Sequence, residues 1–295
     1  MKISGKTKVY GIIGNPVEHS LSPLFQSWFL EQSGVDAVYV PFHVKESEIK
    51  SAVQGLWVLG VEGFNVTVPH KESVLPYIEA DESVRAIGAA NTVIRGEQGW
   101  QATNTDWIGF SDAVQATGAD LEGATVLLFG AGGTAKAVIY ALAKQGVHKL
   151  FLCNRGRKRA EMLAAFARDN YSRMSCELVE WSEADVERIS LKSNIVINTT
   201  SIGLCDGDQF PFGLPGDGVA IDVVYRPDGK TAFCREAAES GRPSVDGLPM
   251  LIAQGAVSFS KWHDTELPNR LAALRWTEKR IGRSPVDLPG WEIEV

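Results

Sequence analysis

The stretch Thr125-Val126-Leu127-Leu128-Phe129-Gly130-Ala131-Gly132-Gly133-Thr134-Ala135 decides how this chain is read. Residues 125–129 make an apolar run suited to a central parallel strand, which is covered on both faces. The spacing GxGxxA follows at once, and a helical pattern follows that. In such a setting each position has a task. Gly130 makes the tight turn, Gly132 lets a pyrophosphate approach the backbone, and Ala135 keeps the helix close to the strand. The amides from Gly130 through Ala131, Gly132, Gly133 and Thr134 then meet phosphate at the positive end of the helix. A glycine-rich turn can be merely a turn. Here the next apolar run, Lys149–Cys153, arrives at the spacing of a βαβ unit, which favours a dinucleotide site.

Outward from that run lies Asn154-Arg155-Gly156-Arg157-Lys158-Arg159. An NAD site carries Asp or Glu near this strand end to take the ribose 2′-hydroxyl. No acid occurs from Leu150 through Ala160. The cations, Arg155 and Arg159 among them, suit a 2′-phosphate through charge-assisted hydrogen bonds. A solvated basic helix start is the competing reading, but cations at a helix N-terminus oppose its dipole, so an anionic ligand explains them better. The cofactor expected is NADP.

On both sides, short apolar runs alternate with helical patterns, the signature of α/β architecture. Val9–Ile13, Val38–Val44 and Gly63–Val68 read as strands. Pro23–Gln32, ended by Gly34, and Glu48–Leu59 read as helices. Thr92–Ile94 and Trp100–Ala102 read as a hairpin. Beyond the glycine loop, Asn194–Ile197 and Val219–Val224 read as strands, and helices run from about Leu248 to Trp262 and from Asn269 onward. The expectation is two domains. An α/β substrate domain, 1–106, is completed by C-terminal helices at 246–295, and a Rossmann-type doubly wound domain occupies 107–245.

The chain has 295 residues, enough for two such domains, and its 44% hydrophobic and 22% charged content is ordinary for a globular protein. A net charge of -7 leaves no basic excess to neutralise a phosphate backbone, so no nucleic-acid partner is expected. Cys153, Cys176, Cys205 and Cys234 are far apart, with no CxxC pair, so neither a disulfide framework nor a metal site is expected. The N-terminus lacks a signal-peptide core, and no apolar stretch approaches membrane-spanning length. A cytoplasmic protein with no membrane partner, monomer or homodimer, is the expectation.

Polar residues gather where the predicted strands of the first domain end. In His19-Ser20-Leu21-Ser22-Pro23, Ser22 reads as a helix N-cap with Pro23 in the first turn. The Ser20 hydroxyl beside the same amides gives two hydroxyls able to grip a carboxylate. Asn65-Val66-Thr67-Val68-Pro69-His70-Lys71 ends an apolar strand with Asn65, Thr67 and Lys71, at the edge where α/β sheets bind ligands. Asn104-Thr105-Asp106 ends the hairpin, where Asp106 could serve as a helix cap.

Together these segments resemble the shikimate/quinate dehydrogenase family over nearly the whole chain. The pattern runs through Gly11–Pro16, His19–Pro23, Asn65–Lys71, Gly88–Thr92, Asn104–Asp106, Gly130–Ala135, Asn154-Arg155, Asn198–Gly203, Asp222–Tyr225 and Gly247–Gln254. The resemblance implies reduction of 3-dehydroshikimate to shikimate by NADPH, without a metal. It implies that Ser20 and Ser22 bind the substrate carboxylate, and that Thr67, Asn91, Asp106, Tyr225 and Gln254 contact the ring or its hydroxyls. Lys71 and Asp106 would form the catalytic pair. Asn154 would lie at the ribose with Arg155 and Arg159, and Thr200, Ser201 and Gly247 near the nicotinamide. The chain departs from the family's usual residues at Trp107, Gly156 and Ala90. A quinate/shikimate enzyme using NAD or NADP, a paralogue acting on another cyclic hydroxy acid, and a non-catalytic nucleotide-binding regulator are the alternatives.

Overall fold

The computed structural model describes residues 3–292. The chain forms two compact units, Met1–Gly109 with Leu251–Thr277, and Phe110–Met250 with Glu278–Val295.

The first unit begins β1 (Lys8–Gly14), α1 (Ser22–Ser33), β2 (Ala37–His43), α2 (Ile49–Val58) and β3 (Gly63–Val66). It continues with α3 (His70–Ser73), β4 (Glu79–Ala80), α4 (Glu82–Ile87), β5 (Thr92–Arg95) and β6 (Trp100–Thr103). Helix α1 stops at Gly34, whose φ of 67° is the left-handed turn that glycine reaches without strain. The sheet order is β2-β1-β3-β5-β6-β4. Strands β1, β2 and β3 are parallel, while β5 runs antiparallel to both β3 and β6, so this sheet is mixed. Its core packs Ile13, Phe64 and Val93, each with no exposed surface, around the Trp100 ring, which meets Phe64 edge to face at 5.0 Å.

The chain then runs through α5 (Asp106–Ala116) to β7 (Thr125–Phe129), α6 (Gly133–Lys144), β8 (Lys149–Cys153) and α7 (Arg157–Asn170). After these come β9 (Ser175–Val179), α8 (Glu183–Ser190), β10 (Ile195–Asn198), β11 (Val219–Asp222), α9 (Ala232–Glu239) and β12 (Ser244–Val245). These strands form one wholly parallel sheet in the order β12-β11-β10-β7-β8-β9. The chain starts at the centre with β7, moves out to β9, then returns to the other side of β7. This is the doubly wound dinucleotide topology, and its order reverses between β7 and β10, where a crevice opens at the strand carboxyl ends. Phe129 anchors the core below that point, edge to face with Phe210 at 5.1 Å and Phe233 at 6.2 Å.

The last helices are α10 (Leu248–His263), α11 (Arg270–Ile281) and α12 (Pro289–Glu292). The sequence pattern groups all of 246–295 with the first unit, whereas 246–250 and the stretch from Glu278 belong to the second. The reason is specific bonding. Arg283 holds the fully buried Asp246 carboxylate with both terminal nitrogens at 2.8 Å, and Trp291 Nε1 donates to Asp112 Oδ1 at 3.1 Å. Among the described residues no helix is long and apolar enough to cross a membrane, and no cluster of His, Cys, Asp and Glu could hold a metal ion.

Candidate functional site

Lys71 is held by its neighbours before its own side chain does anything. His70, with no exposed surface, donates from Nε2 to the Val44 carbonyl at 2.6 Å and so fixes the first turn of α3. The Lys71 carbonyl accepts from Ala90 N at 2.8 Å, which ties the turn to the strand end carrying Asn91. Lys71 Nζ then lies 2.5 Å from Asp106 Oδ2, with only 14% and 6% of the two side chains exposed. At that burial the pair is little screened by solvent.

The second carboxylate oxygen is fixed by elimination. The Thr105 amide can only donate, and it points at Asn91 Oδ1 from 2.7 Å. The Asn91 amide is thereby oriented with Nδ2 toward Asp106 Oδ1 at 2.8 Å and Gln254 Oε1 at 3.2 Å. Asp106 therefore does not serve as the helix cap. Asn104 Oδ1 takes that role by accepting Asp106 N at 3.0 Å, and both carboxylate oxygens are left for Asn91 and Lys71. Gly109 allows Gln254 to lie so near, because a Cβ there would stand 2.6 Å from the Gln254 backbone nitrogen.

Below this layer is a buried polar floor that the sequence reading did not assign. Ser258 Oγ lies 2.8 Å from Thr92 Oγ1 and 3.2 Å from Thr105 Oγ1, and accepts from Asn65 Nδ2 at 3.1 Å. Tyr39 closes the network by donating to Asn65 Oδ1 at 2.7 Å. A fully paired buried network holds one arrangement, since breaking any link leaves an unsatisfied polar group. Ser258 follows Gln254 by one helical turn, a spacing that places both on one face and was the available signal.

Thr67 follows the end of β3 and donates its amide to the Ile13 carbonyl of β1 at 3.0 Å, while Ser20 and Ser22 lie where the chain leaving β1 enters α1. Helix α1 begins at Ser22 with Leu21 as its N-cap and no side-chain cap, and the Ser20 hydroxyl, one position outside, accepts the Ser22 amide at 3.2 Å. Ser22, expected to cap, is 2% exposed, and its hydroxyl bonds nothing among the described residues. It therefore remains available to a ligand. One turn on, Gln26 donates to the Gly255 carbonyl at 2.9 Å, which sets this helix end beside the helix bearing Gln254.

In the second unit, Gly130 has φ 113°, and a Cβ on it would collide with Thr199 Oγ1 at 2.3 Å, so only glycine fits the turn. Above Gly132 the space is open, as a pyrophosphate requires, and Ala135 is fully buried against the strand. Ala131, Gly133 and Thr134 are half-buried around this turn. Asn154 bonds the Gly156 carbonyl at 2.9 Å. Arg157 is drawn aside to Glu161 and Glu180, whereas Arg155 and Arg159 are exposed and make no ion pair among the described residues. The residues present fit a 2′-phosphorylated dinucleotide.

Thr200, Ser201, Tyr225 and Gly247 also belong to this unit, the last packed so that a Cβ would reach the Val223 carbonyl at 2.2 Å. The Thr200 hydroxyl is occupied within its own loop, donating to Asn198 Oδ1 at 2.7 Å and accepting Ile202 N at 3.2 Å. Asn198 donates in turn to Asp222 Oδ1 at 2.8 Å. Burial pushes the Asp222 carboxyl up to about 7, although hydrogen bonds from Thr231, Val224 and Asn198 favour its ionised form. A carboxyl whose pKa is raised on folding binds its proton more tightly in the native state. The contribution of Asp222 to stability therefore falls as pH rises from about 4 to about 7 and is level above that. Asp222→Asn, which has no carboxyl to titrate, is expected to flatten this decline. Melting temperatures of both proteins between pH 4.5 and 8 test this, and parallel curves would refute it.

Comparison with known proteins comes to the same point. Residues 12–93 match the model of the shikimate dehydrogenase substrate binding domain, and residues 112–202 that of shikimate / quinate 5-dehydrogenase. The chain is 37% identical over 274 residues to a shikimate dehydrogenase (NADP(+)) of Aquifex aeolicus, covering 92% of this chain and 96% of that one. A Thermus thermophilus shikimate 5-dehydrogenase solved with NADP(H) and shikimate superposes with a TM-score of 0.81 at 30% identity, over 93% of this chain and 100% of that one. A 5-ketofructose reductase of Gluconobacter superposes with a TM-score of 0.80 at 28% identity, over 94% and 100%. With matches of this extent in both units, and polar residues gathered at the strand ends, the chain belongs to the shikimate dehydrogenase family.

Proposed function

We propose that the protein catalyses the reversible, NADP-dependent interconversion of 3-dehydroshikimate and shikimate, with Lys71 as proton donor and acceptor and Asp106 as its partner. The observation that carries this is the buried Lys71–Asp106 contact of 2.5 Å within a fully hydrogen-bonded polar cluster. NADPH, when bound, supplies the hydride. The chain's own residues do the rest. Ser20 and Ser22 hold the substrate carboxylate at the α1 end, where amides and the helix dipole favour an anion. Asn91, Gln254 and Thr67 meet the ring hydroxyls, and Tyr225 belongs to the same set. Lys71 Nζ gives a proton to the carbonyl oxygen as it becomes an alkoxide, and takes one back in the reverse direction. Asp106, fixed through Oδ1 by Asn91, keeps the ammonium aimed.

Gly130–Ala135 would cradle the pyrophosphate, Asn154 would lie at the ribose, and Arg155 with Arg159 would hold the 2′-phosphate. Thr200, Ser201 and Gly247 would line the nicotinamide end. The substrate would be bound by the first unit, Met1–Gly109 with Leu251–Thr277, and the cofactor by the second, Phe110–Met250 with Glu278–Val295. Initial rates with shikimate or quinate against NADP⁺ or NAD⁺ test the whole reading. Turnover of shikimate with NADP⁺ is the expected result, and no turnover of either acid would overturn it. A second reading, a different polyhydroxy carbonyl substrate, has support from the 5-ketofructose reductase likeness and would show as turnover of quinate or an open-chain ketose alone.

Cofactor choice follows from the strand end. kcat/KM for NADP⁺ should exceed that for NAD⁺ by at least about tenfold, the worth of one charge-assisted contact or two. Arg155→Gln with Arg159→Gln should remove most of the gap by raising KM for NADP⁺ alone. Because both cations are exposed, the preference should shrink with added salt. Equal use of both cofactors by the unaltered protein would contradict this.

A further inference from the structure

We propose that Asp222 is a positioning residue for this reaction, setting through the amides of Asn198 and Val224 the two loops that carry Thr200 and Tyr225. The inference rests on the reading above that the Thr200 loop faces the nicotinamide end of the cofactor and that Tyr225 meets the substrate ring. Asn198 and Asp222 are register partners at the last rungs of the parallel strands β10 and β11. One carboxyl oxygen serves both strand ends. Asp222 Oδ1 accepts from Asn198 Nδ2 at 2.8 Å and from Val224 N at 2.9 Å. Having donated to Asp222, the Asn198 amide can turn only its oxygen outward. That oxygen accepts both Thr200 N at 3.0 Å and Thr200 Oγ1 at 2.7 Å. The Thr200 loop and the Val224-Tyr225 segment thus share a single buried anchor with no exposed surface.

A purely structural role explains this poorly. Asp222 Oδ2 is buried and makes no direct hydrogen bond among the described residues, the nearby Thr231 hydroxyl favours the ionised carboxyl less than burial disfavours it, and Asp246 and Cys234 are the titratable groups facing it. Such an oxygen is costly as a carboxylate and tolerable as a neutral carboxyl, in keeping with the upward shift that burial gives it. Shape and the Oδ1 acceptor matter here, and charge does not.

Steady-state kinetics of the full chain separate the roles. Asp222→Ala and Asn198→Ala should each raise KM for NADP⁺ by about tenfold, and Asp222→Ala, which also releases the Val224-Tyr225 segment, should raise KM for shikimate as well. Asp222→Asn keeps the shape and the acceptor, so its KM values should stay within about threefold of the parent. Simple loss of folded protein lowers the rate at saturation and leaves KM alone. Unchanged KM for NADP⁺ in folded Asp222→Ala would overturn the inference. Where that variant does not fold, unchanged KM in Asn198→Ala does so. The Arg155→Gln, Arg159→Gln protein is the control. If it binds NADP⁺ normally, the cofactor reading itself has failed. If it does not, while both Ala variants bind normally, only the role of Asp222 has.

Discussion

Lys71→Ala is expected to lower kcat by about 10²–10⁴, the usual span for general acid–base catalysis. The reason is the difference between what Lys71 does at rest and in the transition state. At rest its ammonium is neutralised by Asp106 at 2.5 Å and adds little to substrate binding. As hydride arrives at the carbonyl carbon, negative charge builds on the oxygen, and a donor already in place stabilises it without reorganisation. KM for shikimate should therefore change much less than kcat, because the groups assigned to binding remain. Asp106→Asn should also be slow, since an amide cannot hold the ammonium by charge. It should bind substrate less well too, because Asn91 loses the anionic acceptor at 2.8 Å that orients it. Single-turnover rates with saturating substrate give the test. A Lys71→Ala rate near that of the parent would remove the proposed donor.

The second large effect is on the carboxylate grip. Each hydrogen bond from a serine hydroxyl to a charged carboxylate contributes about 1.5–3 kcal/mol, so Ser20→Ala with Ser22→Ala should raise KM for shikimate by about a hundredfold or more. The structure divides the two contributions. Ser20 also accepts the first amide of α1 at 3.2 Å, so its loss should cost some stability, about 1 kcal/mol. Ser22 is buried and caps nothing, so Ser22→Ala should leave the melting temperature nearly unchanged while raising KM by about tenfold. KM for NADP⁺ should not move in either variant. An unaltered shikimate KM in the double variant would leave Ser20 with its bond to the helix amide and Ser22 with no assigned role.

The sequence by itself determined the features that depend on local chemistry. A buried apolar run, a glycine spacing and a helix start are legible because each residue's task is set by its neighbours, and β7 and β8 were read at their observed bounds. The missing acid after β8 was legible for the same reason. Short elements were not. β4 is two residues long and α3 four, too few to show a period, so β4, α3 and α4 escaped notice along with β9, α8 and α9. The motifs also named Lys71, Asp106, Asn91 and Gln254 as candidates, but only the tertiary structure decided what they do to one another. Asp106 had two open roles, cap and partner. The choice fell to Asn104, which took the cap, and to the Thr105 amide, which turned Asn91 toward the carboxylate. Likewise, residues from Glu278 went to the second unit because Asp246 was buried there and needed Arg283. Asn91 and Gln254 stand 163 positions apart, and Asn65 and Ser258 stand 193. Hydrogen bonds of that reach depend on orientation and burial, which no local pattern encodes, and they exist only once the two strand ends and α10 have packed together.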